Sequence, residues 1–141
     1  MKPKPNLFYG WISLTFAFTI HIIDEALNDF LSIYNPIVTN FNESFGFLIF
    51  PVFSFSQWLV GLIIANIILY SLSIYAYRNK KWFRYLSFIY SSIMILNAIG
   101  HITGSIYLGK SIAGLYSAPL LLVGGIYLFW SSFYSSRIRE H

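Results

Sequence analysis

Apolar side chains run almost unbroken along this chain, interrupted only by a few short stretches that hold nearly all of its charge. Cutting at those stretches leaves four apolar segments, at about 7–34, 49–77, 82–108 and 112–134, each long enough to span a bilayer, which takes about 20 residues. The segments are apolar nearly all round, so helical periodicity says little and length decides. A small β-barrel would alternate apolar and polar residues over strands of about 10. The run LVGLIIANIILYSLSIY at 59–75 does not. The pattern predicts an all-α fold, a four-transmembrane-helix bundle forming a single transmembrane domain over 1–141, without internal repeats.

Composition supports this reading. Hydrophobic residues make up 57% of the chain and charged residues 10%, with mean hydropathy +0.63, whereas a soluble domain carries about 25% charge. With 14 Phe, 11 Tyr and 4 Trp needing burial, a disordered or collagen-like chain is excluded. The absence of cysteine removes disulfide frameworks, iron–sulfur clusters and thiolate zinc sites.

Basic residues set the expected orientation. Lys2 and Lys4 precede the first span, Arg78, Lys80, Lys81 and Arg84 separate the second and third, and Arg137 and Arg139 follow the fourth; Lys110 alone falls on the other side. Both termini are therefore expected in the cytoplasm, and the net charge of +4 reads as topology, not as a nucleic-acid footprint. The RNKKWFR cluster can also touch anionic lipid. No Ala-x-Ala-like cleavage site follows the first apolar run, so it reads as a retained span. The expected location is an integral, multi-pass position, in the cytoplasmic membrane if the source is bacterial. Between spans one and two, 35–48 reads as an outer loop that opens with an Asn-Pro turn and carries the sequon Asn42-Glu43-Ser44. Residues 109–111 leave only a tight turn between spans three and four, which makes those helices antiparallel neighbours.

The first span holds side chains that a bilayer does not tolerate without a reason: His21, Asp24, Glu25, Asn28 and Asp29. A carboxylate at mid-membrane costs several kcal/mol unless paired, protonated or metal-bound. At helical spacing, His21, Glu25 and Asp29 form one row and Asp24 and Asn28 flank it, so all five share one broad stripe. Span three carries Asn97 and His101, also i,i+4, with Ser105 continuing the row. At about 1.5 Å per residue, His21 and Glu25 lie roughly 21 and 27 Å from the inner end of span one, and Asn97 and His101 roughly 22 and 28 Å from that of span three. The two clusters are expected at one level, in the outer half of the bilayer. Gln57 in span two, and Tyr116, Ser117 and Pro119 in span four, fall at comparable depth. Gly100, Gly104, Gly114, Gly124 and Gly125 permit close helix approach, and Pro119 within span four would free a carbonyl near Leu115.

The run His21-Ile-Ile-Asp24-Glu25 followed by Asn97-x-x-x-His101 resembles the HXXEE family of small integral membrane proteins, with likeness extending through 104–119. The chain departs from the family pattern at Asp24, where the name implies Glu; the charge is kept but the reach is one methylene shorter. The resemblance implies a small membrane protein with enzymatic activity, and it points to the site more than to a substrate.

Two imidazoles and two or three carboxylates on facing helices are ligands suited to a divalent metal, namely zinc, iron or manganese. His21, Glu25, His101 and Asp24 are the expected ligands. Asp24 and Glu25 are also the candidate catalytic acids and bases, and Asn28, Asp29, Asn97, Gln57 and Tyr116 are the candidate supporting or substrate-binding groups. The partner expected from the side is membrane lipid or a lipid-like hydrophobic molecule, with hydrolysis as the first reaction class and oxidation as the second. No nucleic acid is expected; a homodimer is compatible. The same cluster also suits a proton- or ion-coupled transporter, a lipid- or amphiphile-binding protein that pairs Asp24 with an amine, or a purely structural polar plug.

Overall fold

The computed structural model describes residues 6–137; Lys2, Lys4, Arg139 and His141 lie outside them. The described residues form helices and no strand, in the order α1 Leu7–Leu27, α2 Leu31–Phe45, α3 Phe55–Ser71, α4 Ser73–Tyr77, α5 Lys81–Leu108 and α6 Ala118–Arg137. Three helices are long and apolar enough to cross a membrane: Leu7–Leu27, Lys81–Leu108, and Phe55–Tyr77, where α4 continues α3 past a break at Leu72. The apolar stretch of α6, Ala118–Phe133, is shorter.

Local chemistry sets the ends. Asn6 caps α1 through its side-chain oxygen, which accepts from the Phe8 N–H at 2.9 Å. Ser54 and Gln57 form a reciprocal capping box at the start of α3, so two donors left over by the first turn are satisfied. Gln57, expected near the site, is thus an exposed capping residue.

The helix boundaries correct three sequence expectations. The first span does not reach residue 34. Asn28 turns its amide back onto the Asp24 carbonyl and carboxylate, and Asp29 adopts the left-handed conformation at φ 54°, so α1 stops there. The stretch expected as an outer loop is then largely helical, because Pro36 lies inside α2 instead of ending a helix. The chain returns through a non-helical segment at 46–54, bracketed by two asparagines of α2. Asn42 accepts from Ile49 and Phe50 N–H and donates to the Phe50 carbonyl; Asn35 exchanges two hydrogen bonds with Phe53. The sequon amide is therefore already engaged, and the second span begins at Phe55. Finally, the helix expected as the fourth span, α6, starts at Ala118, not near residue 112. Gly109 ends α5 in a left-handed cap at φ 62°, and Gly114, at φ 83°, holds 110–117 out of helix. Pro119 is the second residue of α6, where a missing N–H costs nothing.

α1 is the hub. It packs along α6, which in turn packs along α5, while α3 and α4 lie on another side of α1. Close approach of α1 and α6 depends on Gly124, whose absent Cβ would sit 3.2 Å from the Leu14 Cα. The core beneath the polar cluster is Trp11, Leu14, Phe83, Leu121 and Leu128, all fully buried. Trp11 packs on Phe83 and Tyr90 and donates its indole N–H to the Leu69 carbonyl at 2.8 Å, just before the α3 break. Hydroxyls in the spans mostly bond their own helix, as with Ser87 to Phe83 and Thr103 to Ile99, which satisfies them without a partner.

Candidate metal centre

The i,i+4 spacing of His21 and Glu25 stacks them one turn apart on the inner face of α1, and both are buried, at 0% and 5% exposure. His101, 8% exposed, meets them from α5. Glu25 Oε1 lies 3.1 Å from His101 Nε2 and 3.4 Å from His21 Nε2. The two rings stand nearly perpendicular with centroids 4.8 Å apart. One ligand atom from each residue falls within 4.8 Å of the others, so the three could hold a metal ion. With metal–nitrogen bonds of about 2.0–2.1 Å, neighbouring donors around a tetrahedral ion lie about 3.3 Å apart. The separations from Glu25 bracket that value.

The non-helical segment 110–117 closes the site. Gly114 lies directly beneath both imidazoles: a Cβ there would be 2.6 Å from His101 Cε1, 2.7 Å from its Nδ1 and 2.8 Å from His21 Cε1. Ser117 follows, buried, with its Oγ 2.8 Å from His21 Nδ1 and 2.7 Å from Asp24 Oδ2. The Ser117 N–H also donates to Asp24 Oδ2 at 2.8 Å. Phe30 lies against His101 at 5.9 Å and against Trp58 at 5.7 Å, so aromatic rings flank the histidine.

Of the residues expected from sequence, the structure gathers His21, Glu25 and His101 into one group. Asp24 stands beside that group with its carboxylate engaged by Ser117 on one oxygen and by Asn28 on the other. Asn28 reaches the site only through Asp24. Asp29 is exposed and serves the turn, where its carbonyl accepts from Ser32. Asn97 is half-buried one turn from His101, but its Oδ1 and the His101 Nδ1 are each buried without a hydrogen-bond partner. Tyr116 is 71% exposed, and Gln57 belongs to its helix cap. Sequence reasoning noted Gly114 and Ser117 for helix approach and for depth, but not as parts of the site. Their roles follow from a turn that the apolar run concealed. Phe30 and Trp58 left no signal beyond being aromatic.

No protein-family model matches the chain, and neither a curated protein nor a solved structure does.

Proposed function

We propose that this chain is a metal-dependent integral membrane enzyme in which His21, Glu25 and His101 hold one divalent ion. The observation that carries the proposal is Glu25: a buried carboxylate whose ion-pair partners, among the described residues, are two neutral-capable imidazoles from two helices. A carboxylate that stays ionised in a bilayer needs positive charge beside it. A divalent ion supplies it, and together Glu25 and the adjacent Asp24 balance that charge. In this reading α6 is the fourth span, both termini are cytoplasmic, and the site lies in the outer half of the bilayer. The His21-x-x-Asp24-Glu25 and Asn97-x-x-x-His101 elements make the chain a variant of the HXXEE pattern.

Three protein ligands leave a coordination position open, as in catalytic rather than structural sites. An ion so held supplies Lewis-acid chemistry or an activated water. The surrounding walls are aromatic and aliphatic, so the substrate is lipid-like and enters from the side, with hydrolysis of an ester or amide as the reaction and oxidation as its runner-up. The test is turnover in proteoliposomes doped with ester- and amide-linked lipids, read by mass spectrometry, with chelation followed by return of zinc, iron or manganese. Product that vanishes on chelation, returns with metal and is absent in Glu25→Gln supports the reading. Metal-loaded protein that forms no product contradicts it.

A second reading, proton-coupled transport, draws on the same imidazole–carboxylate–imidazole row, since Glu25 Oε1 is within 3.4 Å of both rings and such rows carry protons in membranes. It requires a pH-driven flux that Glu25→Gln abolishes. The amine-binding reading has less support, because both Asp24 oxygens are already engaged.

A further inference from the structure

Ser117 sits among three groups that cannot all receive its single proton. Its Oγ is 2.7 Å from Asp24 Oδ2, 3.2 Å from the Gly114 carbonyl and 2.8 Å from His21 Nδ1. The first two neighbours are oxygens that accept, and the Asp24 carboxylate already receives three donors: the Ser117 N–H, the Ser117 hydroxyl and the Asn28 amide. If Ser117 donated to His21 instead, its oxygen would face the carboxylate at 2.7 Å with no hydrogen between them. The hydroxyl therefore donates to Asp24 and accepts from His21, so His21 carries its proton on Nδ1.

This assignment fixes the other side of the ring. His21 Nε2, fully buried and without a hydrogen-bond partner, then presents a bare lone pair toward Glu25 Oε1 at 3.4 Å. Two acceptors facing each other in a buried site suit a cation between them. We propose that Asp24 and Ser117 are positioning residues: together they hold His21 in the Nδ1–H tautomer and aim its Nε2 lone pair at the ion position. Asp24 thus acts through Ser117, not by touching the ion. Carboxylate partners commonly orient metal-binding histidines directly; here a serine hydroxyl is interposed. The purpose of the relay rests on the metal reading above, whereas the tautomer does not depend on it.

The test uses full-length protein labelled with 15N-histidine, in detergent and without metal, with resonances assigned through His101→Gln and His141→Gln. The expected result at neutral pH is His21 in the Nδ1–H form. Ser117→Ala keeps the backbone N–H bond to Asp24 and is expected to move His21 to the Nε2–H form, donating to Glu25, while His101 is unchanged. Ser117→Thr restores the Nδ1–H form. Zinc affinity, measured by dye competition, is expected to fall about 10–100-fold in Ser117→Ala and to recover in Ser117→Thr. An Nε2–H or doubly protonated His21 in the wild type overturns the proposal, and so does a tautomer indifferent to Ser117→Ala. A shifted tautomer with unaltered zinc affinity removes the positioning role. Wild-type protein that binds no zinc counts against the metal reading and the purpose given to the relay, and the tautomer result then stands by itself.

Discussion

Replacing Gly114 by alanine should damage the site more than any other single-methyl change in the chain. The added Cβ would lie 2.6–2.8 Å from ring atoms of both His21 and His101, where ordinary contact begins at 3.4 Å. Both rings would have to retreat by roughly 0.6–0.8 Å, well beyond the ±0.2 Å that metal–ligand distances tolerate. The residue would also be forced into the left-handed region at φ 83°, at a cost of about 1–2 kcal/mol for a side chain with a Cβ. Overpacking in a closed site adds about 1–3 kcal/mol. The expected outcome is a loss of roughly 2–5 kcal/mol, shared between stability and metal affinity. Thermal unfolding in detergent and zinc titration with a competing dye measure the two parts. Gly100→Ala is the control, because nothing lies within 4 Å of a Cβ at that position; it should leave zinc affinity at wild type and stability unchanged or raised by up to about 1 kcal/mol. A Gly114→Ala protein that melts and binds zinc as the wild type does would refute the cradle and the ring placement it depends on.

Two further perturbations probe the frame around the site. Trp11→Phe keeps a ring against Phe83 and Tyr90 but strands the Leu69 carbonyl, and a loss of about 1–3 kcal/mol is expected without loss of metal binding; an unchanged melting temperature would deny the indole bond its role. Asn42→Ala removes three hydrogen bonds to 49–50 while Asn35 continues to hold Phe53. Amide exchange at Ile49 and Phe50 should accelerate about tenfold, corresponding to about 1.4 kcal/mol, with Phe53 unaffected; uniform exchange along the segment would contradict the two-asparagine bracket.

Sequence revealed the heart of the cluster because charged and imidazole side chains are conspicuous within long apolar segments. His21 and Glu25 share a helix face by spacing alone, and counting helical rise places His101 at their depth. The structure brings the His21 and His101 rings to a centroid separation of 4.8 Å. The breaks were harder to read. Asn35-Pro36 is the stronger turn signal on composition, but the helix instead stops at Asn28 and Asp29, where a side chain competes for the backbone. Residues 112–116, IAGLY, carry no charge and run on into the apolar start of α6, so hydropathy shows no boundary there. The left-handed conformations of Gly109 and Gly114, invisible to hydropathy, break the helix there, and the Ser117 N–H bond to Asp24 holds the segment in place. That misreading also hid the role of Asp24. Its partner Ser117 is 93 residues away in sequence, and the geometry that makes the acid a support depends on the turn that brings Ser117 to it.

The most direct test is elemental analysis of the full chain, purified without chelator and exposed in turn to zinc, iron and manganese. Coordination by His21, Glu25 and His101 predicts about one equivalent of a divalent ion per chain, reduced to background in His101→Ala protein that still folds. Wild-type protein that stays empty with all three metals, or a His101→Ala variant that retains its full complement, would contradict the account.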